Sequence, residues 1–167
     1  VTGQGSIATV GQFNAKNENP LTPPNKTAKV GDVDVNGKTV NVGDTVNFTV
    51  SAAVPASAGN YDVYPFTITD TASKGLKVAA TNAFKVQVDG QDVDSSLYTV
   101  TQTGSAAVGT TTTITFASAK SLAGKTIVVS YTGTVTKDAL TDLGGSVNNK
   151  AMITTNGGDS GEGKTES

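Results

Sequence analysis

The chain has 167 residues and a net charge of -2, and its 12 basic residues are all lysines scattered among 14 acidic ones. A nucleic-acid-binding surface needs clustered basic residues, usually with arginine, so the composition excludes that class of partner. Cysteine and histidine are both absent, which excludes thiol nucleophiles, histidine-based triads, zinc ligation and disulfides.

Residues 1–25 are predicted to be an N-terminal segment and a Pro-rich inter-domain connector. Three of the five prolines of the chain are Pro20, Pro23 and Pro24, and they favour extended backbone that makes no ladder hydrogen bonds. The alternation of polar and apolar side chains then predicts the first strand of a domain at residues 26–30.

A series of short strands is predicted after this first one. Thr (27 residues) and Val (21) far outnumber Leu (6), and such usage favours pleated strands over helices. Alternating side chains predict further strands at residues 46–51, 66–70, 76–80, 84–88, 98–100, 114–116, 127–131 and 147–153. The dipeptides Asn36-Gly37 and Asp89-Gly90 are typical of tight hairpin turns, because these residues tolerate positive φ angles. Strands at this spacing predict an all-β fold, an antiparallel β-sandwich.

Only residues 136–143 have a helical pattern. Thr136 is a suitable N-cap and Gly144 a suitable stop, so the sequence predicts at most one short crossover helix. Residues 156–167 are rich in glycine and polar side chains, which is typical of a flexible C-terminal linker. The predicted globular domain therefore covers residues 26–155. No apolar run approaches the ~20 residues of a membrane span, so no membrane insertion of this region is expected.

Three polar side chains fall on the apolar side of predicted strands. Lys26, Asp70 and Asn149 each keep the two-residue spacing of the apolar side chains around them. Because side chains alternate between the two faces of a strand, all three are predicted to point into the core. A buried charge is costly unless it is neutralised or paired, so an amine, an acid and an amide in one core need a chemical reason. We interpret them as the parts of a covalent Lys–Asn cross-link.

Several motifs in a fixed order also resemble a known family. They are Pro23-Pro24-Asn25-Lys26-Thr27-Ala28, Val42-Gly43-Asp44-Thr45-Val46-Asn47-Phe48-Thr49-Val50, Ile68-Thr69-Asp70-Thr71, Lys74-Gly75-Leu76, Gly124-Lys125-Thr126-Ile127, Tyr131-Thr132-Gly133-Thr134-Val135 and Asn149-Lys150-Ala151. Together they resemble the isopeptide-forming domains of Gram-positive pilus shaft subunits and related cell-surface adhesins, of the collagen-adhesin A-type, immunoglobulin-like variety. The resemblance covers about residues 23–155 and implies an immunoglobulin-like β-sandwich.

The resemblance further implies a reaction within the chain. A lysine on the first strand, here Lys26, attacks the side-chain amide of an asparagine on the last strand, here Asn149, and releases ammonia. An aspartate on an intervening strand, here Asp70, assists. Apolar surroundings lower the pKa of a lysine and raise that of a carboxyl, so the amine becomes nucleophilic. The protonated acid can then polarise the amide carbonyl and shuttle protons to the departing amine. Because this happens once per molecule, the chain is expected to cross-link itself and not to be an enzyme.

The identity of the lysine has an alternative. Lys26 is favoured over Lys29 because it falls on the same face of the strand as Ala28 and Val30 and because it follows the prolines. Residues 31–38, however, lengthen the usual spacing to the Val-Gly-Asp motif at 42–44, which keeps Lys29 open as the cross-linking residue.

Residues 32–37 mimic the start of a calcium loop. The twelfth position of that loop is Gly43 and not a bidentate glutamate, so no metal site is predicted.

The predicted function is that of a structural, force-bearing module of a Gram-positive cell-surface pilin or fibrillar adhesin. Such a module is extracellular and is anchored to the cell wall through other parts of its parent protein. Its expected partners are the neighbouring domains of the same polypeptide and other pilin subunits, and no cofactor is expected. The alternative function is a ligand-binding adhesin domain that recognises a host surface protein or glycan.

Overall fold

The alternating segments of the sequence form two antiparallel sheets. The computed structural model describes residues 21–141, 146–155, 158–159 and 163–166. The strands of the first sheet, in spatial order, are β2 (Val33–Asp34), β1 (Asn25–Val30), β3 (Thr45–Ala53), β10 (Thr126–Val135), β6 (Lys85–Val88) and β7 (Gln91–Asp92), with β5 (Leu76–Val78) pairing to another part of β10. The strands of the second sheet are β12 (Gly158–Asp159), β11 (Asn148–Thr155), β4 (Phe66–Ala72), β9 (Gly109–Phe116) and β8 (Tyr98–Ser105), with β13 (Gly163–Glu166) also paired to β11.

One apolar core lies between the sheets and follows from the two-residue period of the strands. Burial alternates along the whole of β4 and along β10 from its second residue, since every second side chain of a strand faces the same way. The largest fully buried side chains include Phe66, Ile68, Phe116 and Ile127. The predicted all-β, immunoglobulin-like antiparallel β-sandwich is thereby confirmed.

Short 3-10 helices connect the strands in the described part of the chain. They span Ala56–Asn60, Thr81–Ala83, Ser95–Leu97, Lys120–Leu122 and Lys137–Thr141. The last of them lies where the sequence predicts a short crossover helix at 136–143, of which residues 142–143 are outside the described part of the chain. Its backbone bond from Ala139 N–H to the carbonyl of Thr136 has the three-residue spacing of a 3-10 turn. An isolated segment this short gains too few hydrogen bonds to propagate as an α-helix. No helix among the described residues is long and apolar enough to cross a membrane.

The two glycine dipeptides form different kinds of turn. Asp89 (φ 54°) and Gly90 (φ 79°) close the hairpin between β6 and β7, as the sequence predicts. Asn36 and Gly37 also form a turn, closed by a hydrogen bond from Lys38 N–H to the carbonyl of Val35. This second turn joins no pair of adjacent strands, because β2 is already paired with β1. The hairpin prediction is therefore wrong at this position, although the turn itself is present.

The second sheet continues beyond the predicted end of the domain. Within the predicted flexible linker, 156–167, β12 and β13 both pair with β11, and Thr165 is buried. The structure differs from the linker prediction here because β11 has an edge, and a strand edge with unpaired backbone groups favours the pairing of a further segment. Of the predicted connector, residues 1–20 lie outside the described part of the chain, and Asn25 already belongs to β1.

Asn25 and Glu166 lie at opposite ends of the sandwich. Asn25 pairs with Ser51 near the end of β3, at the same end of the sandwich as the hydrogen bond from Gly124 N–H to the carbonyl of Val54. Glu166 pairs with Asn148 at the start of β11, beside the turn that follows β4. A force applied between Asn25 and Glu166 therefore acts along the long direction of the strands.

Candidate cross-linking site

The structure places the three polar residues singled out in the sequence inside the core. Lys26 on β1 is 5% exposed, Asp70 on β4 is 2% exposed and Asn149 on β11 is 0% exposed. The alternative lysine, Lys29, lies on the opposite face of β1 and is exposed to solvent. Of the two candidate lysines, it is Lys26 that faces the aspartate and the asparagine.

The three side chains meet at one tyrosine hydroxyl. The Nζ of Lys26 donates a hydrogen bond to Oδ2 of Asp70, which lies within ion-pairing distance, and another to Oη of Tyr131 at 2.7 Å. The Nδ2 of Asn149 donates to the same Oη at 2.8 Å, and this hydroxyl in turn donates to Oδ2 of Asp70. Lys26 and Tyr131 come from the first sheet and Asp70 and Asn149 from the second, so the site bridges the sandwich.

Tyr131 is the member of the site that the sequence reasoning missed. It lies on the same inward face of β10 as Ile127 and Val129 and is buried with them. Its position in the sequence therefore indicated an ordinary aromatic residue of the core. Its ring stacks on Phe84 at 4.5 Å and on Phe48 at 5.3 Å between centroids. The one available signal was a hydroxyl on an inward face, because a buried phenol needs a hydrogen-bond partner.

Burial controls the protonation of the site. Desolvation lowers the pKa of Lys26 below its ordinary value of 10.5, although the nearby charge of Asp70 acts in the opposite direction. Desolvation also raises the pKa of Asp70 above 3.8, against the effect of Lys26. The pKa of Tyr131 is raised well above 10.0 by burial and by the charge of Asp70. These shifts favour a neutral amine, a protonated acid and a neutral phenol.

Two acceptor atoms in the site have no hydrogen-bond partner among the described residues. They are Oδ1 of Asp70 and Oδ1 of Asn149. Buried polar atoms are rarely left unpaired, because losing water without a replacement partner is costly. A proton on the carboxyl of Asp70 would turn one acceptor into a donor, which agrees with the direction of its pKa shift.

A narrow cleft reaches the asparagine from one side, and β13 lies beside it. The cleft is lined by Ala28, Val46, Phe48, Leu76, Val147, Asn148, Asn149 and Thr165. The Oγ1 of Thr165 lies 3.5 Å from the backbone carbonyl oxygen of Asn149, and its side chain is 3% exposed. β13 therefore helps to keep the amide away from bulk water. The described residues contain no cluster of acidic side chains that could hold a metal ion.

Comparison with protein families gives one match over most of the chain. Residues 23–165 match the model of the family described as cell surface antigen I/II C2 terminal domain. Comparison with curated protein sequences gives no match. The family match includes Lys26, Asp70 and Asn149 as well as the β13 residue Thr165 that covers the site.

Solved structures with a similar fold include major pilins. The major pilin SpaA of Corynebacterium diphtheriae has a TM-score of 0.64 and 24% identity over 87% of this chain and 33% of its own. The structure of SpaA is described as pointing to a modular pilus assembly stabilizing isopeptide bonds. The pilus backbone protein RrgB of Streptococcus pneumoniae has a TM-score of 0.57 and 19% identity, over 80% of this chain and 53% of its own. BcpA, the major pilin subunit of Bacillus cereus, has a TM-score of 0.55 and 20% identity, over 96% of this chain and 42% of its own. The chain thus spans a third to about half the length of these proteins and shares their fold.

Proposed function

This chain belongs to the family of cell surface antigen I/II C2 terminal domains, and on that basis we propose that it is a force-bearing module of a Gram-positive cell-surface pilin or fibrillar adhesin. An isopeptide bond between Lys26 and Asn149 stabilises the module from within. The description of SpaA, a protein with the same fold, as containing stabilizing isopeptide bonds supports this proposal. The module lies on the extracellular surface and is attached to the cell wall through other parts of its parent protein.

The observation that carries the proposal is the meeting of both reacting nitrogens at one buried hydroxyl. Nζ of Lys26 and Nδ2 of Asn149 both donate to Oη of Tyr131, at 2.7 and 2.8 Å. Holding a nucleophile and an electrophile together in a packed core removes most of the entropic cost of bringing them together, which is worth on the order of 7–11 kcal/mol at best. An ordinary structural ion pair would need Lys26 and Asp70 but would not need an amide in the same site.

The proposed reaction exchanges one amide for another. The neutral amine of Lys26 attacks Cγ of Asn149, so that the Nζ–Cγ bond forms and the Cγ–Nδ2 bond breaks. Nδ2 leaves as ammonia after gaining the one proton that Nζ loses, and no oxidant, reductant or cofactor takes part. Protonated Asp70 polarises the carbonyl of the amide, as buried neutral acids do in other active sites. The reaction runs once per molecule, and the module does not turn over.

The proposed partners follow from the modular role. Residues 1–25 connect the module to a neighbouring domain of the same polypeptide, and residues 26–155 contain every group of the cross-link. Other pilin subunits are the proposed partners in assembly, as the description of SpaA as part of a modular pilus assembly supports.

Intact mass spectrometry of the purified chain tests the bond. The wild-type mass should be lower than the sequence mass by one ammonia, and digestion should release a branched peptide that joins Lys26 to Asn149. The variants Lys26→Ala, Asp70→Ala and Asn149→Ala should keep the full sequence mass. Lys29→Ala is the matched control and should lose ammonia as the wild type does. A wild-type chain with its full sequence mass would contradict the proposal.

A further inference from the structure

We propose that Tyr131 is a catalytic residue of the cross-linking reaction, whose hydroxyl carries a proton from Nζ of Lys26 to Nδ2 of Asn149. This inference rests on the proposed function and assigns the proton transfer that the bond exchange requires. It gives the aspartate and the tyrosine separate tasks, because Asp70 polarises the carbonyl while Tyr131 serves the two nitrogens.

The hydrogen bonds of the site point to the tyrosine as the group that contacts both nitrogens. Oη of Tyr131 lies 2.7 Å from Nζ of Lys26 and 2.8 Å from Nδ2 of Asn149. Asp70 is hydrogen-bonded to Nζ and to Oη, and among the described hydrogen bonds none joins it to Nδ2. The acid therefore contacts the nucleophile but not the leaving group, and the hydroxyl contacts both.

The chemistry of the two nitrogens requires a proton to move between them. Before attack, Nδ2 is an amide nitrogen with a delocalised lone pair, and it can only donate to Oη. Once Nζ has bonded to Cγ, Nδ2 becomes a basic amine and Nζ becomes an acidic ammonium. Oη then accepts a proton from Nζ and passes its own proton to Nδ2, so the phenol is regenerated and ammonia can leave. Such positioned proton transfer is the usual task of a general acid–base group.

The surroundings of Tyr131 hold its hydroxyl in the required place. Phe84 and Phe48 stack on its ring with interplanar angles of 12° and 23°, so the ring is fixed while the O–H bond can still rotate. In the structure the hydroxyl accepts from both nitrogens and donates to Asp70, which uses its one donor and two acceptor sites. A rotation about the Cζ–Oη bond is enough to turn the hydrogen from Asp70 to Nδ2.

The variant Tyr131→Phe tests this role because it keeps the stacked ring and removes only the hydroxyl. Aliquots of a timed cell-free synthesis are quenched in acid, and the fraction that has lost ammonia is measured by intact mass spectrometry. Tyr131→Phe should cross-link at least about 100-fold more slowly than the wild type, the lower range for loss of a general acid–base group. Tyr64→Phe is the matched control, since Tyr64 is also buried and packs on Phe66 outside the site, and it should cross-link at the wild-type rate.

A second measurement separates proton transfer from packing. Site-specific 3-fluorotyrosine at position 131 keeps the ring and the hydroxyl but lowers the pKa of the phenol. If Tyr131 relays a proton, the cross-linking rate should change and the pH dependence of that rate should shift. A purely structural role predicts neither change. This comparison decides between the two roles even if Tyr131→Phe fails to fold. A Tyr131→Phe chain that cross-links at the wild-type rate overturns the relay and leaves the proposed function intact. A wild-type chain that never loses ammonia overturns both.

Discussion

At the scale of single residues, the buried lysine and aspartate are best described as a pair that shares one proton. Desolvation shifts the pKa of Lys26 down and that of Asp70 up, so each group is driven towards its neutral form. A neutral amine is the nucleophile that the proposed reaction needs. The same burial that would make an ionised pair costly therefore prepares the pair to react.

The pH dependence of folding follows from these two pKa shifts, and the variant Asn149→Ala, which cannot cross-link, allows it to be measured. Between pH 3.8 and 10.5, the ordinary pKa values of the two groups, the unfolded pair binds one proton. Because the pKa of Asp70 is raised, the folded pair binds more protons than the unfolded pair just above pH 3.8, and the free energy of unfolding falls there as the pH rises. Because the pKa of Lys26 is lowered, the folded pair binds fewer protons just below pH 10.5, and the free energy of unfolding rises with pH there.

Outside that range the pair makes no contribution to the slope. Below pH 3.8 the folded and the unfolded pair both bind two protons, and above pH 10.5 both bind none, so the proton numbers are equal. Urea unfolding of Asn149→Ala, compared with the same variant carrying Lys26→Met and Asp70→Leu, isolates the pair. The difference in the free energy of unfolding between the two should fall with rising pH just above 3.8 and rise with pH just below 10.5. A difference that is constant across the whole range would contradict the two pKa shifts.

At the scale of secondary structure elements, β13 matters because it covers the reactive amide. It pairs with the first half of β11, including Asn149, and its residue Thr165 lines the cleft beside that side chain. A strand that completes the sheet edge also satisfies backbone groups of β11 that would otherwise bond to water. We therefore expect this strand to be part of the functional module and not only a connector.

Truncation after Thr155 removes β12 and β13 and should slow cross-linking. Water admitted to the site raises the pKa of Lys26 towards 10.5, and each unit of that rise reduces the fraction of neutral amine about tenfold. The rate of ammonia loss in timed synthesis measures the effect. Truncation after Glu166 keeps β13 and is the control, with a rate near that of the wild type. Equal rates for the chain truncated after Thr155 and the full chain would show that β13 plays no part in the reaction.

At the scale of the whole molecule, the proposed bond divides the chain into a closed loop and an open segment. Residues 27–148 lie inside the loop, whereas residues 150–166 lie between the bond and the end of β13. Closing a loop of about 120 residues stabilises the fold by roughly 4–5 kcal/mol if it constrains the unfolded chain as a disulfide does. The open segment receives no such protection, although it pairs with the sheet through β12 and β13.

Stretching single molecules between residues 25 and 166 should reveal this division. In the cross-linked wild type only the open segment can extend, by about 60 Å at the length of a fully extended chain. Asn149→Ala lacks the bond and should extend by on the order of 450 Å as the whole sandwich unravels. Lys29→Ala, the control, should behave as the wild type. A wild-type chain that extends as far as Asn149→Ala would exclude a force-bearing cross-link.

The sequence predicted the strands and the inward faces well because both depend on local alternation. Lys26, Asp70 and Asn149 were assigned to the core from their neighbours two residues away, and all three are buried. The same argument favoured Lys26 over Lys29, and Lys29 is exposed. Local patterns did not predict the features that depend on which strands pair with each other, as the turn at Asn36-Gly37 shows.

The sequence by itself determined the fold class, the side chains that enter the core and the chemical types available for a cross-link, because a period of two fixes the face of every residue in a strand. Only the tertiary structure decided that Tyr131 joins the three polar groups and that a glycine-rich tail closes the edge of β11. Both depend on which strands face or pair with each other across long stretches of chain. Parity within one strand carries no information about such distant neighbours, since it fixes a direction and not a partner.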